Sequence, residues 1–188
     1  TLRVATLLPF VADALEMSSV SSPVVASVRR DLHTPLSAGT IDLGNPHSPN
    51  FEKLVESRPD LVVGDRQLHS AIASKVEGLG AEFVLIDTST VESTLLALSS
   101  LASRTGRSSG IDARIQGVRE NLEQLHIGEP VRILPLFGAP GSFYAVTERA
   151  WLGALATEVG FENIAPAGGN ERLPGFVVLN DEILSMLE

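Results

Sequence analysis

The chain has 188 residues, 44% hydrophobic and 20% charged, which is the balance of a folded globular protein and excludes disorder over most of its length. With 14 Lys and Arg against 23 Asp and Glu the formal charge is −9, which opposes both phosphate neutralisation and an anionic membrane surface, so no nucleic-acid partner is expected. Cysteine is absent, and with it disulfides, iron–sulfur ligation, Cys-based zinc sites and thiol nucleophiles. No run of about 18 apolar residues, the least that a spanning helix needs, occurs, so no transmembrane segment is expected.

Residues 2–8 read as a strand closed by Pro9, and residues 11–17 have helical character. A polar turn leads to a second short strand over 23–28. Residues 29–49, with Pro35, Gly39, Gly44, Pro46 and Pro49, read as one long loop, of a length that is usually functional. Asn50 caps a short helix over 50–58, and Pro59 ends it before the buried strand 61–64. Residues 65–70 are expected as a loop, 71–79 as a helix and 82–86 as a strand. Strands alternating with helices at this spacing predict an α/β fold with a parallel sheet.

The pattern changes at residue 91. Val91, Leu95, Leu98 and Ala102 share a helical face, residues 106–110 interrupt, and Ile111, Ile115, Val118, Leu122 and Leu125 resume it. A second α/β block follows: a strand over 131–137, a turn at Gly138–Gly141, a strand over 142–147, a helix over 151–159 ended by Gly160, a Gly/Pro-rich loop and a strand at 176–178. The expected organisation is an α/β lobe over 1–88, a long rigid connecting helix over 89–127 and a second α/β lobe with a parallel sheet over 128–188. Asn180-Asp181-Glu182-Ile183-Leu184 repeats the helix start Asn50-Phe51-Glu52-Lys53-Leu54 without the strand that follows the first copy, so the second lobe is read as incomplete. Thr1 sits in a strand already under way and is read as a processed boundary from which an export signal has been lost.

Pro49-Asn50-Phe51-Glu52-Lys53-Leu54-Val55 followed by Arg58-Pro59-Asp60-Leu61-Val62-Val63-Gly64 resembles a segment of the iron-siderophore, haem and cobalamin binding proteins of ABC importers. Arg3-Val4-Ala5-Thr6-Leu7 with Pro9 is similar to their opening strand, and Gly160-Phe161-Glu162-Asn163-Ile164-Ala165 to a later element. The resemblance covers essentially all 188 residues. It implies two Rossmann-like lobes joined by a stiff helix, with an iron chelate or cobalamin held in the cleft between them. It also implies a periplasmic or lipoprotein-anchored location and delivery to an ABC permease, with no intrinsic cofactor and no enzymatic step. By the same resemblance Glu52 and Glu182 are the acidic residues that dock on the permease. Each is equally accounted for as a first-turn acid that suits its helix dipole.

Ligand candidates come from the ends of the predicted strands, where open α/β sheets bind. They are His33, His47, Arg66 and His69 in the first lobe, with Arg149 and Trp151 in the second. Arginines such as Arg29, Arg30, Arg66 and Arg149 clasp anionic oxygens, and Trp151 offers a flat face to a macrocycle. A helix-core role suits Trp151 equally, and loop histidines are ordinarily solvent-exposed. The alternative reading is a direct metal-ion protein or metal-dependent enzyme, with His33, His47 and His69 as ligands beside Asp31 or Asp65. No P-loop, G-x-G-x-x-G strand-to-helix turn, G-x-S-x-G elbow or H-E-x-x-H motif is present to support an enzyme.

Overall fold

Val4–Thr6 and Leu61–Asp65 are buried at every position. Strands without an apolar/polar alternation need cover on both faces, which is the environment of a central parallel strand. The computed structural model describes residues 2–17, 23–31, 33–125, 127–139, 141–167, 174–180 and 185. Within them the contacts divide the chain into two compact units, Thr1–Asp87 with Thr94–Ile115, and Thr88–Ser93 with Gln116–Glu188. The helical stretch expected as a separate connector is thus shared out between the two.

Unit 1 is built on β1 (Val4–Thr6), α1 (Pro9–Glu16), β2 (Val24–Ser27) and β3 (Ile41–Asp42). A small antiparallel ribbon of β4 (Gly44–Asn45) and β5 (Ser48–Pro49) follows, then α2 (Phe51–Glu56) and β6 (Leu61–Asp65). Next come α3 (Arg66–His69), a 3-10 turn at Ser70–Ile72, α4 (Ala73–Glu77) and β7 (Glu82–Ile86). The sheet is parallel throughout, in the order β3-β2-β1-β6-β7. The chain builds outward from β1 to β3 on one side, then returns to lay β6 and β7 on the other. The strand order therefore reverses between β1 and β6. The crevice outside the carboxyl ends at such a point is where doubly wound sheets bind.

Ala5, Leu7, Ala26, Val28, Leu43, Leu54, Val62, Val76 and Ala81 form the core, with Phe51 and Phe83 packed against it. Two polar devices close the sequence around α2. The Asn50 side chain accepts from the Lys53 N–H at 3.0 Å and caps its start. The guanidinium of Arg3 donates to the carbonyls of Ser57 (2.7 Å) and Arg58 (2.9 Å) at its end, while Asp60 accepts from the Arg3 backbone N–H. The Arg-Pro-Asp segment is thus a structural clamp on β1.

Two expectations change in this unit. The stretch read as one loop over 29–49 contributes the edge strand β3 and the β4–β5 ribbon, because Ile41 pairs with Ala26 and Asp42 with Ser27. The stretch read as a loop over 65–70 contains α3, because the Asp65 carboxylate accepts from the N–H groups of Gln67 (2.8 Å) and Leu68 (2.9 Å) and caps a helical turn.

The long connector is two helices, α5 (Val91–Arg104) and α6 (Ser108–Leu125). They run antiparallel: Ser99 donates to Asp112 at 2.8 Å in unit 1, and Arg119 pairs with Glu92 at 2.6 Å in unit 2. Gly106, with φ of 72°, supplies the left-handed residue that lets the chain turn back. α6 is the longer of the two helices, with 18 residues, about 27 Å.

Unit 2 contains β8 (Arg132–Ile133), β9 (Leu136–Ala139), β10 (Ser142–Val146), α7 (Trp151–Glu158), β11 (Glu162–Asn163) and β12 (Phe176–Val178). Its described strands are not all parallel. β8 pairs in parallel with β11, whereas β12-β10-β9 is an antiparallel sheet. Pro135 divides the expected strand 131–137, and the tight turn after β9 sends β10 back alongside it. α7 ends as expected at Gly160, where the N–H of Phe161 reaches the Ala156 carbonyl and that of Gly160 the Thr157 carbonyl, both at 3.0 Å. The helix start expected over 180–184 lies largely outside the described residues.

α7 lies so close to the end of β10 that a Cβ on Gly153 would stand 2.1 Å from the Thr147 carbonyl oxygen. Neither backbone is free to give, so Gly153→Ala should destabilise unit 2 by about 1–3 kcal/mol. Chemical denaturation followed at Trp151 measures this, and an unchanged midpoint would contradict it.

Candidate functional site

Arg29 and Arg30 follow β2 at the carboxyl edge of the unit 1 sheet. Arg29 Nε donates to the Asp42 carboxylate at 2.6 Å, and Arg30 pairs with Asp13 on α1. Arg66, after β6, donates to the Leu85 carbonyl at 3.2 Å. Each of the three arginines at this edge therefore has a partner within the unit. The hydrogen bond from Arg29 holds the Asp42 carboxyl below its ordinary value of 3.8, and that bond raises Arg29 in turn. Asp31 is lowered as well, first by the Thr34 hydroxyl and then by the N–H groups of His33 and Thr34. These bonds bring His33 and Thr34 onto the Asp31 carboxylate.

Two open grooves flank Arg29. One is lined by Arg29, Arg30, Asp31, Asp42 and the ribbon residues Asn45 and Pro46. The other is lined by Arg29, His33, Thr34, Thr40 and Asp42. His33 is exposed in this second groove, and His47 is exposed in the turn of the ribbon.

His69 has a different place from the one expected. It is 2% exposed, in the last position of α3. Its Nδ1 accepts from the Asp65 N–H at 2.8 Å, so the ring proton sits on Nε2, 2.9 Å from the Pro46 carbonyl oxygen that accepts it. Both nitrogens are used on backbone groups, which leaves no lone pair for a metal or ligand. Among the described residues no three His, Asp or Glu side chains are arranged to hold a metal ion. The triad His33, His47 and His69 thus does not form a centre: two members are exposed in loops and the third is buried and bonded.

In unit 2, Thr147, Glu148, Arg149, Asn163, Ala165 and Pro166 line a further open groove. Asn163 shapes it, its Nδ2 donating to the Val146 carbonyl at 2.9 Å and its Oδ1 accepting from the Ala165 N–H at 3.0 Å. Arg149 is exposed there, and no carboxylate of the described residues pairs with its guanidinium. Trp151 opens α7 and is 45% exposed, while the buried positions of that helix are Gly153 and Ala156. The core role considered for Trp151 is therefore not the one it has. Glu52 stands exposed in the first turn of α2, and Glu182 lies outside the described residues. Asp42 and Asp13, which set the charge state of this edge, were not marked by the sequence pattern, since partners so far along the chain leave no periodic signal.

With this geometry in view, a family model of periplasmic binding proteins matches residues 4–185, and the chain belongs to that family. The fold is shared with solved structures at low identity. An ABC transporter substrate-binding protein from Listeria monocytogenes EGD-e is 21% identical, with a TM-score of 0.80 over 99% of this chain and 72% of that one. IsdE of S. aureus, complexed with heme, is 16% identical with a TM-score of 0.81 over 99% and 72%. The siderophore binding protein FhuD of Vibrio cholerae, bound to Fe3+-Desferal, is 17% identical with a TM-score of 0.76 over 100% and 75%. A search of curated proteins finds no match.

The Arg29–Asp42 pair carries a pH dependence. Because the folded state keeps Asp42 charged below 3.8, its stabilising contribution is complete above that pH and is lost as acidification protonates the folded carboxyl. Asp42→Asn should therefore be less stable than wild type at neutral pH, and the gap should close on going below 3.8. Denaturation midpoints of both proteins along a pH series check this; a gap that stays constant would rule the pair out as its source.

Proposed function

We propose that this protein is the extracytoplasmic solute-binding component of an ABC importer, capturing an iron chelate (a siderophore or haem) or cobalamin and passing it to the permease. The observation that carries this reading is the family match over residues 4–185, taken with the fold shared with a haem-bound and a ferric-siderophore-bound protein. The chemistry of the exposed edges agrees with it. Strand-end loops present arginines, histidines and one tryptophan, the groups that meet anionic oxygens and flat macrocycles. Iron is cargo held by its chelator, so no set of converging protein ligands is required of the chain. Binding and release are the whole of its work in this reading, and no bond of the ligand is made or broken.

Arg149 and Trp151 are assigned direct contact with the ligand, and His33, His47 and Arg66 line its approach. Glu52 is assigned to the permease. An acid in the first turn of α2 adds to the favourable field at that helix end and remains free to meet a basic partner.

Titration with haem, ferric siderophores and cobalamin, followed by the fluorescence of the single Trp, tests the reading. One chelate is expected to quench it saturably, and Arg149→Ala to weaken that chelate about tenfold, the loss of one charge-assisted pair. Absence of saturable binding by every member of the panel would overturn the proposal. Glu52→Ala should leave chelate affinity unchanged and lower uptake in vesicles containing the cognate permease; full uptake by that variant would remove the docking role.

A further inference from the structure

Unit 1 contains a buried polar contact that the binding role above does not use. The ribbon β4–β5 is tied at its base to the sheet: Arg29 N–H donates to the Gly44 carbonyl at 3.1 Å, and Asn50 N–H to that of Leu43 at 2.9 Å. Its turn has another anchor. Among the described residues, the hydrogen bond linking the turn to a different element is the one from His69 Nε2 to the Pro46 carbonyl, at 2.9 Å. The His47 N–H instead serves the ribbon itself, donating to the Asn45 side chain at 2.8 Å.

The imidazole is placed for this by its surroundings. Asp65 caps α3 with its carboxylate and offers its own N–H to His69 Nδ1. That N–H comes from the last residue of β6, so the ring is referred directly to the sheet. Gly64 leaves the space: a Cβ there would stand 2.9 Å from the Phe83 ring and 3.1 Å from His69 Cβ. The ring thus bridges the carboxyl end of β6, beside the reversal of strand order, and the turn of the ribbon. Asn45 and Pro46 of that ribbon line the same groove as Arg29, Arg30 and Asp42.

We propose that His69 is a positioning residue for ligand capture. It touches no ligand. It latches the ribbon turn to β6 and so sets the part of the groove that Asn45 and Pro46 contribute beside the arginines. The proposal rests on the binding reading given above. Asparagine and glutamine at this place would span the two backbone groups with poorer reach, and an apolar ring would leave the buried Asp65 N–H without its acceptor and release the half-buried Pro46 carbonyl.

The test compares wild type with His69→Phe in three measurements: thermal unfolding, hydrogen exchange of segment 43–50 against β6 and β7, and affinity for haem and ferric desferrioxamine. Exchange in 43–50 is expected to accelerate about tenfold or more while β7 is unchanged, and the affinity for whichever chelate wild type binds is expected to fall about tenfold. Unchanged exchange in 43–50 overturns the latch. Faster exchange with undiminished affinity overturns the positioning role and leaves His69 purely structural. Where wild type binds neither of these two, the affinity arm uses whichever member of the panel above it does bind; wild-type protein that binds no member of that panel sinks the binding reading, and the positioning role with it, while the exchange data still decide the latch. Should His69→Phe fail to fold, His69→Gln, which keeps a donor and an acceptor, carries the same comparison.

Discussion

Burial of β1 on both faces is the constraint from which unit 1 follows. Val4 and Ala5 are fully buried, and Thr6 satisfies its hydroxyl locally, donating to the Leu8 carbonyl and accepting from the Leu8 N–H. A strand with no solvent face has to be central, so the chain lays β2 on one side and β6 on the other. Central parallel strands need crossovers, and the crossovers bring every loop after a strand to one edge. Arg29, Asp42 and Asp65 all lie along that one edge because the sheet is parallel, although the first and last are far apart in sequence.

The chemistry of this edge is dominated by internal pairing. Arginines in an acidic chain of charge −9 find carboxylates readily, and Arg29 and Arg30 have taken Asp42 and Asp13. Exposed pairs of this kind contribute little to stability. An anion approaching Arg29 would have to compete with Asp42 for the same donors. Unit 2 differs. Arg149 is exposed without a carboxylate of the described residues on its guanidinium, and Trp151 is 45% exposed two residues further on. The second unit thus presents an exposed cation and a flat apolar surface of its own, whereas the arginines at the edge of the first are paired.

How far this was legible in the sequence follows the range of each interaction. β1, β6 and β7 could be read from apolar runs, and α2 and α7 from an Asn cap and a Gly terminator, because these signals are local. The β3 strand was missed because it is two residues long and is defined by its partner, Ser27 and Ala26, rather than by its own composition. Pro135 marked the break between β8 and β9, but a run of apolar residues around it outweighed the signal. The antiparallel sheet of unit 2 follows from a turn rich in Gly, which reads equally as a loop between parallel strands. Arg149 and Trp151 were reachable as residues after a strand. Their exposure was not, since an apolar face on a short helix does not say which side is covered.

His69 shows most plainly why residue type alone misleads at a site. A histidine just beyond a strand has the position expected of a ligand, and two others stood in nearby loops. What decides its role is the supply of donors and acceptors around it. The N–H of Asp65 and the carbonyl of Pro46 are backbone groups invisible in the composition, and the ring and the Asp65 N–H are buried while the Pro46 carbonyl is half-buried. Leaving that buried N–H unpaired costs more than a surface contact returns. Once the ring bridges them it is spent as a ligand, and the alternative of a three-histidine metal centre loses its buried member. What the sequence offered as metal chemistry is, in the folded chain, a hydrogen-bonded brace between a strand end and a ribbon. His33 and His47 are exposed, and under the proposed reading a bulky ligand carrying its own iron could meet them without being coordinated by them.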